Sequence, residues 1–395
     1  MCSNASGVAV DPTRQLDLLL SAPAQSLLNM LSAQDIERGL SELRLSKALR
    51  KQHPPALVAA ALALLELRQR GRAKFERAED MYFTRAGLEQ ATAEPVAHLH
   101  AQRFRAFDQV ADLCCGIGGD LIALAGRGPV CGVDVDPLHL QMAQLNADVY
   151  GVAVDVCLSD VRAIRLDGIA AAFIDPSRRT DTRRLRPGAS EPPLAWCFGL
   201  AQSVAAVGIK AAPGLALDMV PDGWEIEFVA DHRELKEAAL WSPALRTSAR
   251  RATVLPSGDT LVTTAGPAVE VARPGAYLLD PSPAVTRAGL VEELGRALGA
   301  WKIDHQVAFL SAESPLHTPF GRWLRITASL PWNLKHLRSE LRALDIGTVD
   351  VRKRGSAVDV DDLHRRLKLS GSRAATVVLT RVQNRPWAFV CSDPA

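Results

Sequence analysis

VADLCCGIGGDLIALA (110–125) decides how this chain is read. An apolar run closes on three glycines, Gly116, Gly118 and Gly119, and a stretch of helical pattern follows through Leu121 to Ala125. Glycines let a backbone turn tightly and approach a ligand with no Cβ in the way. Strand, glycine turn and helix together open a βαβ unit. Downstream the alternation continues: VCGVDVD (130–136), a helix through Ala143 and Asn146, VAVDVCLSD (152–160), IAAAFIDPS (169–177) and GIKAAPGLAL (208–217). The expected fold is α/β, a doubly wound parallel sheet. In such sheets ligands bind beyond the carboxyl ends of the strands, where the strand order switches, and the glycine loop lies there.

Two nucleotide classes are demoted at once. A dinucleotide fingerprint starting at Gly116 and Gly118 needs its third glycine at 121, which is Leu121, and no Gly-Lys-Ser/Thr follows for a phosphate loop. Acids at successive strand ends are more informative. Asp134 lies 22 residues after Asp112 and closes the second apolar run, so its carboxylate can accept both hydroxyls of a ribose. Asp136 competes for that role from the same side of the strand. Asp160 ends the third strand, where a polar side chain reaches an adenine edge. Each acid alone reads equally well as a cap or turn residue; three in strand-end order do not.

Outside this core the chain changes character. Residues 14 to about 80 read as helices, from Leu16, Leu18, Leu19 and Leu20 through the repeat Leu40, Leu43, Leu45, Leu49, to a helix opened by Pro54-Pro55. Thr84 reads as the N-cap of a helix through Glu89 to Val96. Strands are expected around Trp224–Val229 and Ala252–Val262. From Trp323 the order is strand, helix, strand, helix, strand, strand, a small α/β domain with an antiparallel hairpin around Gln383-Asn384-Arg385. The expected divisions are 1–80, helical; 81–268, the sheet; 269–322, a connecting α/β segment; and 323–395, the small α/β domain.

Composition sets the outer limits. The chain has 395 residues, 48% of them hydrophobic and 23% charged, as in a globular protein of two or three domains. The longest apolar run, Ala56–Leu65, is half of what a bilayer demands, so no membrane association is expected. The first residues lack a basic and then apolar leader. Seven scattered cysteines, none in CxxC, argue for a reducing compartment and hence the cytoplasm. A net charge of +2 hides an asymmetry: residues 271–395 hold 18 Lys/Arg against 12 Asp/Glu, which favours a polyanionic partner.

DLCCGIGGDLIALA (112–125), GVDVDPLHLQMAQLNADVYGV (132–152) and AAFIDPSRR (171–179) resemble the class I S-adenosylmethionine-dependent methyltransferases, most closely the RNA-directed branch that includes the trimethylguanosine synthases. FTRAGLEQAT (83–92) resembles their lead-in helix. LPWNLKHLRSEL, VRKRG and AATVVLTRV, within 323–395, extend the likeness to a bacterial group with a THUMP-like C-terminal domain. The resemblance implies a Rossmann-like core, a ferredoxin-like or THUMP-like C-terminal domain, S-adenosyl-L-methionine as cofactor, and RNA, with tRNA favoured, as partner. It places Asp112, Cys114, Gly116 and Gly118 against the methionine part, Asp134 at the ribose and Asp160 at the adenine. Asp175-Pro176-Ser177-Arg178 would face the methyl acceptor.

That last loop departs from the Asn/Asp-Pro-Pro-aromatic pattern of amine methylation, since Ser177 replaces the second proline and Arg178 the aromatic. An exocyclic amine needs acceptors for its hydrogens, which Asp175 and a Pro-stiffened carbonyl provide; carbon and oxygen acceptors stay open, as do a small-molecule or protein substrate and a non-catalytic RNA-binding role. Arg178 can stack on a base or grip a phosphate. Arg179, Arg183 and Arg184, close by, are candidate phosphate contacts, and Arg352, Lys353 and Arg354 form a second candidate patch. Cys114 and Cys115 read as small packing residues rather than nucleophiles. His98 and His100, two apart on a helix, share no face, and no metal site is expected.

Overall fold

The computed structural model describes residues 12–31, 42–177, 179–180, 183–184 and 190–393. They form two compact units, one of residues up to Lys210 with 242–245 and one of 211–241 with 246 onward.

In the first unit the sheet strands are β1 (Val110–Leu113), β2 (Val130–Asp134), β3 (Asp155–Leu158), β4 (Ala171–Ile174) and β7 (Ala206–Ala211), with the short pair β5 (Arg179–Thr180) and β6 (Arg183–Arg184) between the last two. The sheet order is β7-β4-β1-β2-β3, every pairing parallel. The chain steps from β1 outward to β3 and then returns to β4 on the other side of β1. That reversal opens the crevice between β1 and β4 expected of a doubly wound sheet, and the Rossmann-like fold read from the sequence is the one found.

Helix α7 (Gly119–Ala125) follows the glycine loop, α8 (Pro137–Tyr150) follows β2, and α9 (Leu194–Gly199) precedes β7. Gly118 caps α7 at φ +94°, with the Ala143 Cα only 3.3 Å from where a Cβ would sit. Only glycine combines that left-handed backbone with that proximity.

Upstream lie α1 (Pro12–Leu20), α2 (Ala22–Met30), α3 (Glu42–Leu49), α4 (Pro55–Gly71), α5 (Arg85–Gln90) and α6 (Glu94–Arg103). Thr84 caps α5 as expected, its Oγ1 accepting from Gly87 N at 2.8 Å. The single helix expected over 84–96 is two helices. Pro95 suits a first turn but not a helix interior, so α5 ends at Gln90, α6 begins at Glu94, and Ala91-Thr92-Ala93 form a turn. The leucine repeats of α1, α2 and α4 share one apolar core with Ile117, Leu138, Met142 and Ala147 of the sheet region. No core boundary therefore falls at residue 80. Asn146 fastens the two parts: it accepts from Tyr82 N at 2.8 Å and donates to Tyr82 O at 3.1 Å and to Ile117 O at 3.0 Å.

The second unit contains β8 (Glu225–Asp231), β9 (Glu234–Trp241), β10 (Arg250–Leu255) and β11 (Asp259–Val262). β8 pairs antiparallel with β9 and parallel with β10, and β10 and β11 form a hairpin. From Tyr277 onward, β12 (Tyr277–Pro281), β13 (Trp301–Lys302), β14 (Leu310–Ala312), β15 (Gly321–Pro331), β16 (Ile346–Lys353), β17 (Arg373–Val382) and β18 (Arg385–Ser392) make a seven-stranded sheet ordered β13-β14-β12-β15-β18-β17-β16. Between these strands along the chain come the short helices α10 (Pro283–Ala288), which packs on β8 and β10, and α11 (Val291–Leu298), then α12 (Leu334–Ala343) and α13 (Val360–Leu367). Strand alternation gives the sheet two apolar faces. Val377 and Val390 meet Leu337, Leu341, Leu363 and Leu367 of α12 and α13, while Val378 and Phe389 point to Ile303 and Phe309. The strand-helix order expected from Trp323 onward is found, and β12–β14, from the stretch expected as a connector, extend the same sheet.

Asn146→Ala removes three buried hydrogen bonds and strands the polar groups of Tyr82 and Ile117. The expected cost is about 3 kcal/mol, read as a fall of roughly 5–10 °C in the unfolding midpoint of the cofactor-free protein; an unchanged midpoint refutes this role.

Candidate active site

Register places the chemistry. Leu113 pairs with Ile174 and Ile174 with Ile209, so the next residues on β4 and β7, Asp175 and Lys210, emerge side by side at the carboxyl edge. Asp112 pairs with Gly132 on β2, two residues before Asp134. A cleft of about 860 Å³ opens over these strand ends, lined by Gly87, Thr92, Asp112, Asp134, Asp175 and Lys210 among others. Helix α5 is part of its wall. A Cβ on Gly87 would lie 2.6 Å from Ile117 Cγ2, so glycine is what lets α5 settle on the loop.

Asp134 braces that loop. One oxygen accepts from Gly116 N at 2.8 Å and the other from Asp136 N at 2.9 Å. Asp136 is the N-cap of α8, accepting from Leu138 N at 2.9 Å and His139 N at 3.3 Å. The two acids that compete in the sequence are thus separated by geometry: one braces the glycine turn, the other caps the next helix.

Asp112 is 1% exposed, and neither carboxylate oxygen has a hydrogen-bond partner among the described residues. Burial, and then the nearby Asp120, Asp175 and Asp134, raise its pKa well above the ordinary carboxylate range, with Lys210 opposing. A buried anion without a partner is costly, and such strain concentrates at functional sites.

Sequence reading did not single out Lys210, Thr92 or Asp120, and it set His100 aside. Lys210, 8% exposed, donates to Asp175 Oδ2 at 2.7 Å and to Thr92 Oγ1 at 2.8 Å. Thr92 donates to Asp120 Oδ2 at 2.5 Å, and His100 Nδ1 lies 2.7 Å from the other Asp120 oxygen. Burial pushes the Asp120 carboxyl up, but His100, Lys210 and Thr92 together outweigh it and hold it below its usual value. His100, passed over for want of a ligand partner on its own helix, stacks near Phe173 with ring centroids 4.6 Å apart. The available signal was a single lysine in the otherwise uncharged strand AVGIKA.

The other candidates fall as follows. Asp160 lines the cleft, yet Arg162 binds both its oxygens, at 2.7 to 3.2 Å, and holds it down to about 2. Arg162 also pairs with Glu191 at 2.7 Å. Glu191 in turn exchanges two 2.8 Å backbone hydrogen bonds with Ser177, closing the base of the loop that follows Pro176. Arg178 lies outside the described residues; of Arg179, Arg183 and Arg184 the backbone is described, as the β5–β6 pair. Cys114 has φ +63°, and burial, then Asp134, Asp175 and Asp112, push its thiol far up; Cys115 is buried and likewise raised. Neither is poised as a thiolate. Among the described residues no His, Cys, Asp and Glu cluster has the makings of a metal site.

In the second unit, Arg352 pairs with Asp350 at 2.9 Å and Lys353 donates to Val358 O at 2.9 Å. Arg354 forks onto Asp280 Oδ1 at 2.8 and 3.1 Å and lies over Phe309, so it is built into the fold.

Comparison with known proteins gives this geometry a context. Residues 107–172 match the family described as RNA cap guanine-N2 methyltransferase, 321–393 the one described as THUMP domain-like, and 12–71 a domain family of unknown function. Two uncharacterized S-adenosylmethionine-dependent methyltransferases of Mycobacterium tuberculosis, from strains CDC 1551 / Oshkosh and ATCC 25618 / H37Rv, are each 37% identical over 322 residues, covering 78% of this chain and 88% of theirs. A crystal structure from Porphyromonas gingivalis W83 superposes with a TM-score of 0.73 over 92% of this chain and 99% of its own, at 20% identity, and shows the shared fold. The chain belongs to the S-adenosylmethionine-dependent methyltransferases, and S-adenosylmethionine is its cofactor.

Asp112→Asn is expected to stabilise the protein without cofactor by about 1–3 kcal/mol near neutral pH. Because the folded-state pKa of Asp112 is raised, the native state holds its proton more tightly. The penalty is therefore absent at low pH and grows as pH climbs above the ordinary carboxylate value. Unfolding midpoints at pH 5 and pH 8 check this: a gap between variant and wild type that fails to widen at pH 8 refutes it.

Proposed function

We propose that this chain methylates a base of RNA, with tRNA favoured, in the cytoplasm, and that the cleft over β1, β2 and β4 holds the cofactor beside Asp175. The observation that carries the reading is the Asp112 carboxylate at the β1/β4 switch, which has no hydrogen-bond partner among the described residues and lies among further acids that include the strand-end Asp175. S-adenosylmethionine brings two positive charges, on sulfur and on the amino group, and an electrophilic methyl.

The residues suit such a guest. Asp112 is the acceptor for the amino group, with Cys114, Gly116 and Gly118 shaping the backbone around the methionine part. Asp134 accepts the ribose hydroxyls with the lone pairs left beside Gly116 N and Asp136 N. Asp160, anchored by Arg162, borders the adenine. Asp175 and the carbonyl of Pro176 aim the acceptor, Ser177 closes the loop through Glu191, and Arg178 faces the base. Methyl transfer is an in-line displacement, so orientation and a dry cleft supply most of the rate.

RNA as substrate is supported by the family match over 107–172, by the THUMP-like match over 321–393 and by the positive balance of 271–395. Arg179, Arg183, Arg184, Arg352 and Lys353 are the proposed phosphate contacts; Arg354 is occupied by Asp280. Reduced cysteines fit a cytoplasmic location: the six among the described residues are all unpaired. No helix among the described residues is long and apolar enough to cross a membrane.

Two measurements test this. Asp134→Asn is expected to weaken S-adenosylmethionine binding by about 2 kcal/mol, near thirtyfold, in calorimetry; an unaltered affinity removes the ribose assignment. Wild type is expected to transfer labelled methyl to unfractionated RNA from cells lacking the protein, with Asp175→Ala slower by about 10²-fold. Its affinity for that RNA should fall steeply with salt. Labelling of small molecules or protein but not RNA would redirect the proposal, and cofactor binding with no transfer at all would make the chain a binding protein.

A further inference from the structure

Lys210 sits where an ammonium is expensive. Its strand is buried from Ala206 to Lys210, and a charge taken out of water there costs several kcal/mol unless it is paired. Packing alone would place an apolar residue at this position. Instead the β4–β7 register sets Lys210 beside Asp175, and the turn between α5 and α6 brings Thr92 to the same ammonium. The contact is therefore made by three separate segments, and the turn that supplies Thr92 also forms part of the cleft wall.

We infer that Lys210 is a positioning residue for methyl transfer: it keeps Asp175 a carboxylate and fixes the direction in which that carboxylate meets an acceptor amine. The inference rests on the reading of Asp175 as the acceptor-facing acid. Asp120, from the first turn of α7, and Asp175, at the end of β4, both press their charge on Asp112. Carboxylates so close tend to share a proton, and a protonated Asp175 would present a donor where an amine needs an acceptor. Lys210 opposes this by charge, and its bond to Oδ2 at 2.7 Å, backed by Thr92, sets the rotamer. In the transfer the amine lone pair forms the new N–C bond. The S–C bond breaks with its electron pair remaining on sulfur, and the nitrogen sheds one proton to Asp175 and from there to solvent. Thr92 holds the ammonium, Asp120 holds Thr92 and His100 holds Asp120, and none of the three takes part in that exchange.

The test compares wild type, Lys210→Met, Lys210→Arg and Asp175→Asn. Single-turnover transfer of labelled methyl to unfractionated RNA from cells lacking the protein is followed from pH 5 to 9, alongside calorimetric affinity for S-adenosylmethionine. Lys210→Met is expected to slow transfer at least tenfold and to move the acid limb of the rate profile up by one pH unit or more. Cofactor affinity should stay within threefold, which also reports a folded cleft, and Lys210→Arg should restore most of the rate. Carboxyl carbon NMR, with the Asp175 signal assigned from its loss in Asp175→Asn, gives a reading that needs no acceptor: the Asp175 midpoint should rise in Lys210→Met. An unmoved midpoint, or an unmoved acid limb in a variant that binds cofactor, overturns the inference. If Asp175→Asn transfers like wild type, or wild type labels no RNA, the reading of Asp175 fails and the inference falls with it. If Asp175→Asn stops transfer while Lys210→Met does not slow it, the inference alone fails.

Discussion

Crowding of negative charge at the ends of adjoining parallel strands is the constraint on which this site depends. Asp112, Asp134 and Asp175 from the strands, and Asp120 from the first turn of α7, converge around the β1/β4 crevice, and each is handled differently. Asp134 is satisfied by backbone N–H groups, Asp120 by His100 and Thr92, Asp175 by Lys210, and Asp112 by no hydrogen-bond donor among the described residues. A buried carboxyl without a donor favours a positive charge beside it, and the cofactor of this family carries its reactive methyl on a cation.

The N-terminal helices make that cleft possible. Their leucines share a core with the helices that flank β2, and Asn146 ties the approach to α5 directly to the glycine loop. The segment 83–92 is thereby held against the loop rather than draped over it. Lys74 reinforces the arrangement by donating to the carbonyls of Leu88, Glu89 and Ala91 at the end of α5. The helices upstream thus act as scaffold for the cleft wall.

The second unit follows a different logic. Its seven-stranded sheet is covered on one face by α12 and α13 and filled on the other by Ile303, Phe309 and their neighbours. Asp280, on β12, takes the guanidinium of Arg354 from the loop after β16, which ties residues from the expected connector to the expected terminal domain. Part of the basic character legible in VRKRG is consequently structural.

Local pattern determined a good deal unaided. Apolar runs punctuated by glycine and acid specified a parallel sheet and located Asp112, Asp134 and Asp175 at its strand ends, because strand alternation and turn chemistry act over a few residues. The same holds for Thr84 as a cap and for the strand-helix order after Trp323. The partners of those acids were decided only by the tertiary structure. Lys210, Thr92 and His100 are separated from Asp175 and Asp120 by between 20 and 90 positions, and strand register together with a proline-induced helix break brings them into contact. A charged side chain advertises its cost in the sequence, but what repays that cost is set by the folding of distant segments.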